Sequence, residues 1–154
     1  MLSLLLASSA LTTTPNSGIS IGIVIGNLTG LSLKFWGIGQ NSALQVHAGG
    51  GGFVGPADLS VSGSLLFHAL LTRETPINGY LGVGAFAGID QGRFGDKAIF
   101  GILVPLGLEF IFTEVPLDLF IEISPAIGFI TDGDVERKVE PGLPFGIGLR
   151  FILK

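Results

Sequence analysis

The stretch Phe100–Phe112, FGILVPLGLEFIF, decides the fold class of this chain. Its even-numbered positions are all large and apolar, whereas its odd-numbered positions include glycine, proline and Glu109. The apolar positions are Phe100, Ile102, Val104, Leu106, Leu108, Phe110 and Phe112. A period of two is typical of a β-strand that presents one apolar face. The stretch therefore predicts a strand.

The residues after it predict the partner strand. The same alternation returns at Leu117, Leu119, Ile121, Ile123, Ile127 and Phe129. The short segment 113–116 between the two runs ends in proline and predicts a tight hairpin. In that hairpin Phe112 falls opposite Leu117 and Glu109 opposite Phe120, so the apolar faces coincide across the pair.

Six more segments pass the same test, which brings the expected number of strands to eight. They are Gly18–Ile25, Thr29–Gly37, Ala43–Gly51, Asp58–Leu71, Asn78–Ile89 and Leu143–Leu153. The apolar face of each carries no charge, and the opposite face is small or polar. A chain of 154 residues is long enough for one such domain. We expect it to span residues 18–154.

Composition excludes several other classes of protein. Hydrophobic residues make up 47% of the chain and charged residues 13%, which excludes intrinsic disorder. The 25 glycines and 8 prolines interrupt every apolar run, so no window reaches the ~18 to 20 residues of a membrane helix. The net charge is −4 and the chain has no block of basic residues, so we do not expect it to bind nucleic acid.

The orientation of the apolar faces determines whether water or lipid surrounds the protein. If they pointed inward, the surface would consist of glycine, serine and too few charges for a soluble domain. If they point outward, the uncharged band suits lipid and the small residues suit a narrow interior. Closure also removes unpaired edges, which lipid does not tolerate. The sequence therefore predicts an all-β, eight-stranded antiparallel up-and-down transmembrane β-barrel with the lipid bilayer as its partner.

The N-terminus suggests export. Leu2 and Leu4–Leu6 form a short apolar run, and Ser8 with Ala10 fits the small-x-small pattern of a signal-peptidase site. We interpret residues 1–10 as a truncated or atypical signal peptide and residues 11–17 as a lead-in to the barrel. The alternative is an apolar leader without a targeting role.

Three stretches resemble a known family. They are GNLTGLSLKFW at 26–36, VPLGLEF at 104–110 and LDLFIE at 117–122. They look like segments of the small eight-stranded outer-membrane barrels of the OmpA and OmpX type, and the resemblance extends over Gly18–Lys154. It implies localisation in a bacterial outer membrane. It also implies recognition of the last strand, with Gly148, Phe151 and Leu153, by the barrel-assembly machinery.

Parity places six charged residues on the inward face: Lys34, Asp58, Glu109, Asp118, Glu122 and Arg150. Four of them, Lys34, Glu109, Glu122 and Arg150, are expected at one level of the barrel. An isolated buried charge is very costly, so we predict that two acids and two bases form a neutral structural network. The alternatives are a gated polar channel or a proton-active pair. The packed network is favoured because side chains fill the interior of eight-stranded barrels.

No pattern indicates a catalytic site, a metal or a cofactor. His47 and His68 are expected at different depths on different strands, Gly49–Gly52 as a flexible outer loop, and the acidic residues of 131–142 as a solvated loop without calcium-loop spacing. We therefore expect a non-catalytic protein with a membrane-integrity or surface-interaction role. An extracellular ligand would be bound through loops 90–98 and 131–142. The alternatives are an outer-membrane lipid-modifying enzyme and a narrow pore.

Overall fold

The structure is a computed structural model. It describes Pro15 and residues 17–71, 77–92, 95–112, 114–132 and 137–153, so the predicted signal peptide and most of the lead-in lie outside the described residues. The strand segments are β1 (Gly18–Gly26), β2 (Leu28–Gly39), β3 (Ser42–Gly51), β4 (Leu59–Leu70), β5 (Ile77–Gly92), β6 (Gly95–Leu103), β7 (Leu106–Ile111), β8 (Leu117–Ile123), β9 (Ala126–Asp132), β10 (Arg137–Gly142) and β11 (Phe145–Leu153). The described ranges contain no helix with the length and hydropathy needed to cross a bilayer.

These segments form a closed antiparallel barrel of eight strands. The sixth strand consists of β6 and β7, the seventh of β8 and β9, and the eighth of β10 and β11, each interrupted by a short X-Pro step. Each strand pairs with the next along the chain, and β11 pairs with β1 to close the sheet. The predicted eight-stranded up-and-down barrel is confirmed.

The two ends of the barrel differ in their connections. We call the end that carries Gly18 and Leu153 the terminal end; the chain also turns there at 40–41, 71–76 and 112–116. The opposite end carries the connections at 27, 52–58, 93–94 and 133–136. The fifth to eighth strands are longer than the first four and extend farther at this end.

Side chains alternate between the two faces as predicted. Outward apolar residues are exposed, for example Ile102 at 62%, whereas the inward Lys34 and Arg150 are fully buried. The predicted hairpin register is confirmed, because Glu109 pairs with Phe120. Asp58 is an exception: it is exposed, and its carboxylate accepts a hydrogen bond of 2.7 Å from the Gln91 backbone N–H. Asp58 precedes the first residue of β4, so the alternation of inward and outward side chains in that strand does not extend to it.

Prolines interrupt three adjacent strands without shifting their register. In each case the proline carbonyl accepts a hydrogen bond from the neighbouring strand: Gly82 N–H to Pro105, Val104 N–H to Pro125, and Ser124 N–H to Pro144, at 2.8 to 2.9 Å. The reciprocal bond is missing because proline has no N–H. The strands therefore continue past the prolines with one ladder bond fewer at each step.

Two connections predicted as loops are mostly strand. β5 continues to Gly92 and β6 begins at Gly95, while β9 continues to Asp132 and β10 begins at Arg137. The expected loops 90–98 and 131–142 are therefore wrong in extent. Charged residues interrupt the apolar alternation in these segments. Backbone pairing between the strands nevertheless continues, and Asp90 pairs directly with Lys97. Residues 93–94 and 133–136 lie outside the described part of the chain.

The expected flexible loop at Gly49–Gly52 is also wrong. Gly49–Gly51 belong to β3, and the following connection folds inward and buries Phe53 and Val54 in the opposite end of the barrel. Glycine is required here by close backbone approach, since a Cβ on Gly51 would lie 1.8 Å from the Asn27 carbonyl oxygen. We call residues 52–57 the plug loop.

Inward aromatic rings lie against glycines of neighbouring strands. A Cβ on Gly107 would lie 2.2 Å from the Tyr80 ring, and a Cβ on Gly148 would lie 2.3 Å from the Phe120 ring. Phe86 occupies the corresponding space beside Gly101 and Gly128. The glycines therefore provide the room that lets large rings fill a narrow interior.

This packing predicts that Gly148→Ala destabilises the barrel by roughly 1 to 3 kcal/mol through overpacking. The added Cβ would contact both the Phe120 ring and, at 2.6 Å, the Ile23 carbonyl oxygen. Gly63→Ala is the matched control, because nothing lies within 4 Å of its Cβ position. Reversible unfolding in detergent or lipid measures both. Equal stabilities of the two variants would contradict the assignment.

Candidate functional site

The four residues predicted for the interior come from different walls of the barrel. Lys34 lies on β2, Glu109 on β7, Glu122 on β8 and Arg150 on β11. All four side chains point inward and are buried, with exposures of 8% or less. Their predicted structural role remains a prediction, but their contacts are defined.

Arg150 is the best-connected member of the network. Its Nε donates to Asp118 Oδ2 at 2.8 Å, one terminal nitrogen donates to Gln45 Oε1 at 2.7 Å, and the other donates to Glu109 Oε1 at 3.1 Å. The guanidinium carbon also lies 4.0 Å from the centre of the Phe120 ring. Planar recognition of several oxygens is the geometry for which a guanidinium is suited.

Lys34 is the second cation. Its ammonium donates to Glu109 Oε1, the same oxygen that Arg150 contacts. The ammonium also lies over the Trp36 ring, 3.9 Å from its centre. Trp36 is itself fixed by a hydrogen bond of 2.8 Å from its indole N–H to Ser20 Oγ. Glu109 thus joins both cations through one carboxylate oxygen.

Glu122 does not contact either cation. Its carboxylate accepts hydrogen bonds of 2.8 Å from Gln45 Nε2, the Tyr80 hydroxyl and the Ser124 hydroxyl. Because the Gln45 amide oxygen accepts from Arg150, this amide bridges Glu122 to the rest of the network. The structure therefore connects all four predicted residues, three of them directly.

Asp118, Gln45 and Tyr80 complete the network but were not among its predicted members. Asp118 pairs with Arg150 across the β8–β11 ladder, so it is the nearest acid to that guanidinium. Inward parity alone could have identified these residues. The pairing between the seventh and eighth strands was also needed to choose Asp118 over Glu122, and the sequence left that register open because it predicted a long loop at 131–142 between those strands.

Apolar layers cover the network on both sides. Toward the terminal end, the next inward positions on three strands are Trp36, Ile111 and Ile152, which cluster with Ala43. Toward the opposite end, Phe120, Phe86 and the plug-loop residues Phe53 and Val54 belong to a larger apolar cluster. Lys34, Asp118 and Arg150 are each 0% exposed and Glu109 is 1% exposed. The charged groups are thus enclosed by protein.

The histidines lie at different depths, as predicted. His47 stacks on Phe120 with ring centres 5.9 Å apart, whereas His68 lies between Trp36 and Tyr80. In the part of the chain that the structure describes, no group of three or more metal-ligating side chains is arranged to hold a metal ion. The site is an enclosed ionic network whose hydrogen bonds and ion pairs connect strands on different sides of the barrel.

Comparisons with protein-family models, with curated proteins and with solved structures find no match to this chain.

Removal of Arg150 tests whether the network stabilises the barrel. Arg150→Met leaves Asp118 and Glu109 buried with fewer donors, and truncation of one partner of a buried pair costs roughly 3 to 5 kcal/mol. The loss is expected to be larger at neutral than at acid pH, because acid protonates the carboxylates that lost their partner. Unfolding in lipid at two pH values measures it.

Lys138→Met is the control, since this cation is largely exposed and pairs with Glu140 near the surface. Single-channel recording of the same proteins separates a packed interior from a channel. A stable Arg150→Met barrel with altered conductance would refute the packed interior.

Proposed function

We propose that this chain is an integral outer-membrane β-barrel of the OmpA and OmpX type, located in a bacterial outer membrane. Its role is non-catalytic, in membrane integrity or in surface interaction. The three sequence stretches that resemble this family lie on strands of a closed eight-stranded barrel, as such a membership requires.

The outward face carries this proposal. Its large hydrophobic side chains are exposed on every strand, for example Ile21 at 44%, Val83 at 56% and Ile147 at 45%. The charged side chains Lys34, Glu109 and Arg150 lie inside instead. Monomeric proteins in water rarely expose a continuous apolar surface of this extent, whereas lipid requires one.

The enclosed interior supports a packed structural network rather than an open pore. The charged network has no exposed member at its centre, and apolar layers lie on both sides of it. A surface-interaction role is supported by the extension of the fifth to eighth strands at the opposite end. Charged residues of these extensions, such as Asp90, Lys97 and Lys138, would face a partner or ligand.

The alternative of a lipid-modifying enzyme would depend on His47. This residue pairs with Ser32 on one side and with Ser62 on the other, and all three side chains are buried. A serine nucleophile needs a base within reach, and the register provides this proximity. Substrate access does not favour the alternative, because Phe53 and Phe120 cover the same interior.

Partition between water and lipid tests the proposal. We expect the protein to require detergent or a bilayer, because its exposed apolar band is incompatible with water. Folded barrel should also migrate differently from heated protein in electrophoresis. A stable monomer without detergent would contradict the membrane assignment.

Leu106→Arg tests the orientation of the outward face. Leu106 is 38% exposed near the middle of the sixth strand, and an arginine at the bilayer midplane costs about 2 to 4 kcal/mol. Val115→Arg is the control, because Val115 is an exposed apolar residue in the turn at the terminal end. Unfolding in lipid vesicles compares them. The proposal fails if both variants lose the same stability.

A further inference from the structure

The buried imidazole of His47 has a polar atom that the charged network does not use. His47 lies on β3, and its ring stacks on Phe120. Its Nε2 makes no hydrogen bond to any residue that the structure describes. Buried polar atoms of folded proteins are almost always hydrogen-bonded, either to protein or to ordered water. This nitrogen therefore requires a partner that the side chains around it do not supply.

A small cavity lies beside this imidazole, under the plug loop. Its volume is about 20 Å³, and its lining includes the polar residues His47, Glu122 and Ser124 together with apolar side chains such as Val24 and Leu28. A polar cavity holds a water molecule when it offers roughly 10 to 15 Å³ and at least two hydrogen-bonding partners. This cavity meets both conditions, and its size excludes a larger guest.

Two of the lining residues present acceptor atoms with spare capacity. Glu122 Oε2 accepts from Gln45 and Tyr80, whereas Oε1 accepts from the Ser124 hydroxyl among the described residues. A carboxylate oxygen has two lone pairs, so Oε1 can accept a further hydrogen bond. The Ser124 oxygen uses its own hydrogen on Glu122 and keeps its lone pairs as well. The cavity therefore needs a guest that donates hydrogen bonds.

Water fits this set of partners better than an ion does. It has two hydrogens and two lone pairs, so it can bond to His47 Nε2 in either tautomer of the ring and use a hydrogen on Glu122 or Ser124. An anion would be repelled by the Glu122 carboxylate at close range. A metal ion would lack ligands, because the described residues contain no group of three side chains arranged to hold one.

Phe53 of the plug loop separates this cavity from the surface. It lines the small cavity and also the larger cavity of about 360 Å³ at the rim. Pro144 lines both cavities too, but it belongs to the wall of the barrel, between β10 and β11. A water molecule that moves between the small cavity and the rim therefore has to pass Phe53.

We propose that the small cavity binds one water molecule, which is held by His47, Glu122 and Ser124. Phe53 of the plug loop retains it. A water that bridges two polar groups is nearly as favourable as a direct hydrogen bond, so the network around Glu122 extends through it to His47. This assigns His47 to the binding of structural water rather than to the activation of a serine. The proposal concerns the interior only and does not depend on the membrane assignment.

Oxygen-17 relaxation dispersion of the folded barrel in detergent tests it by counting long-lived water molecules. His47→Phe keeps a ring of similar size that can stack on Phe120 and removes the nitrogens, so the count should fall by one. Ser64→Ala is the matched control, because Ser64 is a buried inward residue that does not line the cavity. An unchanged count for His47→Phe, or the same loss for Ser64→Ala, would overturn the proposal.

Cross-relaxation between water and protein hydrogens locates the site in the wild-type barrel and does not depend on any variant folding. We expect a bound water to contact the ring hydrogens of His47 and the α-hydrogens of Gly146, since both residues line the cavity. The absence of both contacts in the folded protein refutes the water site.

Two further variants test the role of Phe53. Phe53→Ala opens the side of the cavity that faces the rim, so the residence time of the water should become shorter. Phe86→Ala is the matched control, because it removes a ring from the same apolar cluster but from a residue that lines neither cavity. Equal residence times in the two variants would contradict retention by Phe53.

Discussion

The guanidinium of Arg150 is the interaction on which the interior depends. A fully buried cation is stable only with several acceptors, and Arg150 finds them on three other strands: Asp118 on β8, Glu109 on β7 and Gln45 on β3. One side chain therefore ties together walls that are far apart in sequence. A slip of one residue in any of these strands would turn its network member outward. The charged interior thus specifies the register as well as filling the space.

The two cations of the network are enclosed because the inward side chains around them fit closely together and leave no room for water. The barrel is narrow, and each large ring in the wall uses space left by a glycine, as Phe120 does beside Gly148 and Tyr80 does beside Gly107. Phe120 covers the guanidinium from one side, and Trp36 covers the ammonium of Lys34. The aromatic rings thus close the site and also contact its cations favourably. These glycines are therefore needed for dense packing of the interior.

Periodicity predicted most of the fold, because alternation is a local property. It placed eight strands, assigned Lys34, Glu109 and Arg150 to the inward face, and set the register of the hairpin that pairs Glu109 with Phe120. It failed where pairing or contact depends on distant segments. The ends of β5, β9 and β10 follow from backbone pairing with neighbouring strands rather than from hydropathy. The burial of Phe53 depends on a cavity that several strands create, and the choice of Asp118 depends on the register between two strands whose pairing next to the turn the hydropathy pattern did not reveal.

The plug loop links the enclosed interior to the surface at the opposite end. Phe53 and Val54 cover the apolar layer, while Gly51–Pro56 and Gly142–Pro144 line a cavity of about 360 Å³ at the rim. Moving the loop outward would expose two large apolar side chains, at a cost of roughly 1.5 to 3 kcal/mol for each. It would also uncover Phe86, whose ring centre lies 4.8 Å from that of Phe53. The rim and the extended strands, rather than the interior, therefore form the accessible surface at this end while the plug loop is in place.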